Sequence, residues 1–204
     1  MAHHHNSRYA ETYRASMNDR EGFWLEVAKS IDWVKPPSRA FDASLGVYGR
    51  WFPDAEVNTC YNALDRHIAA RGDQLAVIYD SPVSQSKRSL TYREMRDQVA
   101  RLAAVIRDQG VAKGDTVLIY MPMIPEALMA MLACARLGAV HSVVFGGFAS
   151  KELATRIEDA HPKLIIAASC GIEPNRVVAY KPLLDEAITM SAHKPGKVVL
   201  FQRP

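Results

Sequence analysis

From Cys60 onward the chain switches repeatedly between two hydrophobic periods. Val117–Tyr120, Val140–Val144, Leu164–Ala168 and Lys197–Phe201 are short apolar runs without polar alternation, the signature of strands buried on both faces. Between them, Pro125–Leu137, Lys151–Ala160 and Lys181–Ala192 carry helical spacing. The first of these helices has proline in its first turn and Gly138 at its end, and Ser150 stands ready to cap the second. Upstream, Thr91-Tyr92-Arg93-Glu94 forms a capping box that opens a helix to about Gln109, closed by Gly110. Leu75–Tyr79 and Arg88–Leu90 read as strands around a turn at Ser81–Ser86, and Asn58 or Thr59 caps a helix through Ala70, closed by Gly72. Strand and helix alternating in short units predict an α/β fold with a doubly wound, mainly parallel sheet and right-handed crossovers.

Residues 8–59 follow another rule. Asp19 caps a helix from Arg20 to about Ile31, with Phe23, Val27 and Ile31 on one face and Trp24 beside them; Pro36-Pro37 stops it. Phe41 to Thr59 carries Trp51-Phe52-Pro53 without periodicity and reads as a surface-wrapping loop held by its rings. The expected organisation is an N-terminal helical and loop arm over 8–59 and an α/β domain over 60–204. Met1–Ser7, with His3, His4 and His5, reads as the remnant of an expression tag.

The composition changes little in this picture. With 204 residues, 49% hydrophobic and 23% charged, the chain is an ordinary globular one. Its net charge of +3 comes from scattered basic residues, which argues against a nucleic-acid-binding stripe and leaves a small anionic ligand open. The longest uncharged run, Leu137–Ser150, contains three glycines and a histidine and is too short to span a bilayer. Cys60, Cys134 and Cys170 are far apart, no C-x-x-C occurs, and no metal site or disulfide framework is expected. A reducing cytoplasmic location follows from the cysteine usage and the lack of a signal peptide. Because the chain halts just after an apolar strand, it reads as an incomplete protein whose open sheet edge invites self-association.

Ligands of open α/β sheets bind at the carboxyl ends of the strands, and three loops there stand out. Met121-Pro122-Met123-Ile124-Pro125 reads most simply as a stiff buried connector. Phe145-Gly146-Gly147-Phe148-Ala149-Ser150 lets the backbone approach a ligand closely and feeds a helix N-terminus suited to phosphate; the plain alternative is a tight turn with two core phenylalanines. Cys170-Gly171-Ile172-Glu173-Pro174-Asn175-Arg176 reads as a turn with Arg176 at its exit, either a phosphate fork or a solvated arginine. There is no G-x-G-x-x-G, no P-loop and no G-x-S-x-G. His141 reads as a core histidine, and no nucleophile–base pair can be assembled.

Taken together, Gly114–Glu126 with its Tyr120-Met121-Pro122-Met123-Ile124-Pro125, and Leu132–Phe148 with its Cys134-Ala135-Arg136-Leu137-Gly138-Ala139-Val140-His141 and Phe145-Gly146-Gly147-Phe148, closely resemble the early core of acetyl- and propionyl-CoA synthetases. These are AMP-forming acyl-CoA ligases of the adenylate-forming superfamily. Phe23-Trp24 and Trp51-Phe52 resemble that family's N-terminal segment, and Tyr180-Lys181-Pro182-Leu183-Leu184 leans toward the propionyl branch. The resemblance implies activation of a short-chain carboxylate by ATP and Mg2+ and its transfer to coenzyme A. It also implies that the phosphate loop, the ribose-binding aspartate and the C-terminal lysine lie beyond Pro204, so that this first third is inactive alone and carries no catalytic residue and no metal ligand. What it places in this chain is the coenzyme A side: Phe145, Gly146 and Gly147, and Glu173, Pro174, Asn175 and Arg176. Many relatives read Arg-Gly-Gly-Lys at the second segment, so Glu173 and Pro174 depart from the pattern and only Arg176 keeps a matching cation. The competing readings are a stand-alone coenzyme A or nucleotide-binding module and a domain used only for subunit association.

Overall fold

A computed structural model describes residues 8–203; the tag reading of Met1–Ser7 lies outside them. The chain divides into two compact units between Asn58 and Thr59.

The first unit begins with helices α1 (Arg8–Asn18) and α2 (Arg20–Ala28). Asp19 caps α2 as its sequence requires, its carboxylate accepting from the Gly22 N–H at 2.9 Å. The expected loop between Phe41 and Thr59 is more ordered than its sequence suggests. β1 (Trp33–Lys35) pairs with β4 (Glu56–Val57), and β2 (Phe41–Asp42) with β3 (Arg50–Trp51), all antiparallel. The rings pack on each other: Trp51 meets Trp24 edge-on at 5.5 Å and Phe41 at 5.1 Å, and Trp33 meets Phe52 at 5.5 Å. Only Ala28 and Ala40 are buried among the described residues of this unit, so stacked rings, rather than a sealed core, hold it.

The second unit opens with a helix that breaks where the sequence predicts one continuous run. α3 (Thr59–Ala63) gives way to a 3-10 turn at Asp65–His67 and then α4 (Ile68–Arg71). Within that turn Asp65 accepts from Arg136 at 2.6 Å. Gly72 follows with a right-handed φ of −55°; its need for glycine is space, since a Cβ would sit 2.6 Å from the Ile68 carbonyl oxygen. β5 (Leu75–Ser81) and β6 (Ser86–Thr91) form an antiparallel hairpin. The capping box then starts α5 (Tyr92–Asp108): the Glu94 N–H bonds to the Thr91 hydroxyl at 3.2 Å and the Thr91 N–H to the Glu94 carboxylate at 2.8 Å.

β7 (Thr116–Met121), α6 (Pro125–Leu137), β8 (Val140–Phe145), α7 (Ser150–Ala160), β9 (Leu164–Ala168), α8 (Tyr180–Met190) and β12 (Lys197–Phe201) complete the repeating units. Their strands make one four-stranded sheet in the order β12-β9-β7-β8, every pair parallel. The first crossover steps from β7 to β8 and the second back past β7 to β9, so right-handed connections put α6 on one face and α7 and α8 on the other. α5 packs on α6, and α7 on α8.

Three expectations are corrected. β7 and β9 are buried almost throughout, but the edge strands β8 and β12 are not, and Val140, Val143 and Phe145 are exposed because nothing pairs beyond β8 among the described residues. Ser150 does not cap α7; the cap position is Ala149, and the buried Ser150 hydroxyl donates to Glu186 at 2.6 Å. The Cys170–Arg176 segment is no simple turn. It forms β10 (Cys170–Glu173), which pairs antiparallel with β11 (Arg176–Ala179) around the two-residue tip Pro174-Asn175. A ribbon buried only at its base, with an exposed polar tip, lacks the apolar run by which the other strands are read.

Candidate functional site

The order β9-β7-β8 places the topological switch between β7 and β9, the position where open α/β sheets hold ligands beyond the strands' carboxyl ends. Two chain segments rise there. One is the loop from Phe145, which pairs with Met121 at the end of β8, through Gly146 and Gly147 to Phe148. The other is the β10–β11 hairpin, which carries Glu173, Pro174, Asn175 and Arg176.

A tyrosine at the end of β7 shapes the glycine loop. The Tyr120 hydroxyl donates to the Phe148 carbonyl at 3.0 Å, and its oxygen accepts from the Gly147 N–H. Burial pushes the Tyr120 phenol above its usual pKa, and the Gly147 bond offsets part of that. Gly147 has φ +99°, a conformation that glycine alone adopts freely. Gly146 is needed for a different reason: a Cβ there would lie 2.9 Å from the Met121 carbonyl and 2.8 Å from the Tyr180 hydroxyl. Phe145 is 66% exposed, and its ring lies 5.8 Å from that of Phe148. Arg156, on α7, sits 5.0 Å from the Phe148 ring centroid; nothing in its sequence surroundings singles it out.

The hairpin meets this loop through Tyr180, the first residue of α8. Its ring packs on Tyr120 with centroids 5.0 Å apart, and its hydroxyl lies where Cβ atoms on Gly146 and Gly171 would have to be. Burial is the main cause of its raised pKa, with Tyr120 and Glu173 adding to it and Arg203 opposing. The structure therefore brings the two predicted segments together at their bases. Their tips differ: Glu173 and Arg176 pair two ladder steps beyond Gly171, roughly 7 Å farther out.

Arg176 is engaged. Its Nε donates to Glu173 at 2.7 Å, with the two side chains 71% and 48% exposed, and Glu173 holds the guanidinium above its usual pKa. A phosphate arriving at Arg176 must compete with that carboxylate. Pro174 and Asn175 are exposed at the tip. A separate groove of about 390 Å³ runs past Ser84, Arg88, Ile124, Phe201 and Arg203; Arg88 is neutralised there by Glu126 at 2.5 Å, and none of the seven residues expected to meet coenzyme A lines it. No helix among the described residues is long and apolar enough to cross a membrane.

Comparison with known proteins covers both units. A family model described as AMP-binding enzyme matches residues 64–201, and one described as acetyl-coenzyme A synthetase N-terminus matches residues 9–63. The chain is 53% identical over 197 residues to the mitochondrial acyl-CoA synthetase short-chain family member 3 of Bos taurus, which covers 96% of this chain and 29% of that protein. Against the propionate–CoA ligase of Escherichia coli K12 the identity is 45% over 195 residues, covering 96% and 31% respectively. The chain thus spans about three-tenths of the length of these relatives.

Proposed function

The chain belongs to the family of AMP-binding enzymes, and from that premise we propose that it is the N-terminal part of an AMP-forming short-chain acyl-CoA synthetase acting on propionate or acetate. The observation that carries the reading is the tiling of the chain by two family matches in order, 9–63 and 64–201, each continuous with relatives named as short-chain acyl-CoA synthetase and propionate–CoA ligase.

The chemistry answers a simple difficulty. A carboxylate is already anionic and resists attack by a thiol. Its oxygen therefore attacks the α-phosphorus of MgATP, releasing pyrophosphate and leaving an acyl-adenylate. The thiolate of coenzyme A then attacks the acyl carbon and expels AMP. In this reading the groups that bind ATP and Mg2+ lie mostly outside the chain, which supplies no catalytic residue. Its own contribution is to coenzyme A: the exposed Phe145 ring offers a face to a planar base, Gly146 and Gly147 keep the loop low, and the hairpin residues Glu173, Pro174, Asn175 and Arg176 flank the nucleotide end. The exposure of Phe145 and Arg176 fits such a role, and the carboxylate of Glu173 works against it. All three cysteines are free, which suits a reducing cytoplasm.

The test separates two half-reactions. The full-length product of the gene should catalyse carboxylate-dependent ATP–pyrophosphate exchange and thioester formation with short-chain acids, and the 204-residue chain should catalyse neither. Exchange above background by the chain alone, or no exchange by the full-length protein with any short-chain acid, overturns the reading.

A further inference from the structure

The candidate site contains a largely buried side chain whose polar group the fold leaves unused. Tyr180 is 5% exposed, yet its hydroxyl makes no hydrogen bond with any described residue, while its backbone N–H is bonded to the Ser169 carbonyl at 2.9 Å. Neighbouring Tyr120 uses its own hydroxyl twice on the glycine loop. The Tyr180 oxygen is not sealed from water, and it points between Gly146, Gly147 and Gly171; the nearest Cβ position, on Gly171, would overlap it. An unpaired hydroxyl that water still reaches adds no bond to the fold and is free to donate to an incoming acceptor. Retaining the oxygen, with Gly146 and Gly171 making room for it, is the pattern of a donor held for something that arrives later.

We propose that the Tyr180 hydroxyl is a ligand-binding group of the coenzyme A site, donating to a phosphate oxygen of the nucleotide end, an inference that rests on the function proposed above. The surroundings select an anionic acceptor. Arg203, whose guanidinium donates to the Cys170 carbonyl at 3.2 Å, supplies positive charge on the Tyr180 side. Glu173 is the opposing anion, and Arg176 neutralises it at 2.7 Å. No proton is transferred, because burial raises the phenol's pKa and keeps it a donor. Tyr180 also wedges the base of the hairpin against the glycine loop, so donor and cradle are fixed together.

Tyr180→Phe removes the oxygen and keeps the ring. In the full-length protein, calorimetric titration with coenzyme A and with adenosine 3′,5′-bisphosphate should give Tyr180→Phe an affinity weaker by roughly ten- to a hundredfold for both, the worth of one hydrogen bond to a charged acceptor. The thermal midpoint without ligand should stay level or rise. A merely structural hydroxyl would not move the two readouts in opposite directions. Unchanged affinity for coenzyme A overturns the inference and leaves the proposed function standing. A loss confined to coenzyme A and absent for the bisphosphate overturns the assignment to the nucleotide end, and a fall in midpoint together with affinity assigns Tyr180 to packing alone. Should the unaltered protein bind no coenzyme A, the functional reading fails and the inference with it.

Discussion

A Cβ placed on Gly171 would lie 2.6 Å from Cζ of Tyr180, so glycine at one position and tyrosine at the other are a single packing decision. Both residues are buried, and the ring is braced on its other side by Tyr120. Gly171→Ala should cost about 1–3 kcal/mol, the usual penalty of forcing an extra methyl into a packed interior. Tyr180→Ala should cost about 3–5 kcal/mol through the cavity it leaves. The informative quantity is the cycle. With the ring gone, Gly171→Ala should lose most of its cost, a coupling of about 1 kcal/mol or more for residues in direct contact. Urea unfolding of the four proteins measures it, and additive costs would show that the glycine serves some other constraint.

The thiols offer a second check. Cys134 is wholly buried on α6, and burial alone pushes its pKa up to about 11. Cys60 is also wholly buried and raised by burial, with Arg136 opposing. Alkylation proceeds through the thiolate, so at pH 8 neither should be labelled in the folded chain, and both should be labelled in urea. Mass spectrometry after timed iodoacetamide exposure reads this directly; rapid native labelling of Cys134 would mean that α6 opens locally.

Much of this was legible in the sequence where the cause is local. The capping box at Thr91 and Glu94 and the left-handed Gly138 that ends α6 with φ +73° need only a few neighbouring residues. The apolar runs of β7 and β9 announce strands sealed on both faces. What stayed hidden depends on residues distant in sequence. Ser150 bonds to Glu186 rather than capping its own helix because α8 passes beside it. The β10–β11 ribbon hides behind a Gly-Ile-Glu-Pro-Asn string that carries no apolar period. In the candidate site, the loop's position and the positive φ of Gly147 follow from a Gly-Gly pair after a strand. The reason for Gly146 and Gly171 is a ring on α8, and Arg176 shows its partnership with Glu173 only once the hairpin sets them opposite each other.

The end of α8 should respond to acid. Glu158 on α7 accepts from the Ser191 hydroxyl at 2.7 Å and from the backbone N–H groups of Ala192 and His193. Those bonds, the Ser191 hydroxyl first, hold its pKa below the ordinary 4.5, and His161 lowers it further. A depressed carboxylate stabilises the fold fully above its unfolded pKa, and the contribution is lost as pH falls through the folded value. Stability should therefore decline as pH falls below that ordinary value. Glu158→Gln should be less stable at pH 7 and show a flatter acid limb. Denaturant midpoints between pH 3 and 7 decide; an unaltered acid limb in the variant would remove Glu158 from the account.

The last prediction concerns the two charges on the hairpin. Arg176 is 71% exposed and already held by Glu173, so its pull on a phosphate is screened by water and shared with a carboxylate. In the full-length protein, Arg176→Ala should raise the KM for coenzyme A only by roughly two- to tenfold, as for a partly screened charge-assisted contact. Glu173→Gln should act in the opposite sense. It removes a negative charge from the approach of a polyanionic ligand and releases the guanidinium to meet it, so the coenzyme A KM should fall, and fall further at low ionic strength. ATP–pyrophosphate exchange needs no coenzyme A and reports separately on folding and adenylation. In the Glu173→Gln, Arg176→Ala double variant the gain should vanish, because the freed cation is its source. A gain that survives there would assign the effect to the lost repulsion alone, and a higher KM for Glu173→Gln would show that the carboxylate positions Arg176 rather than competing for it.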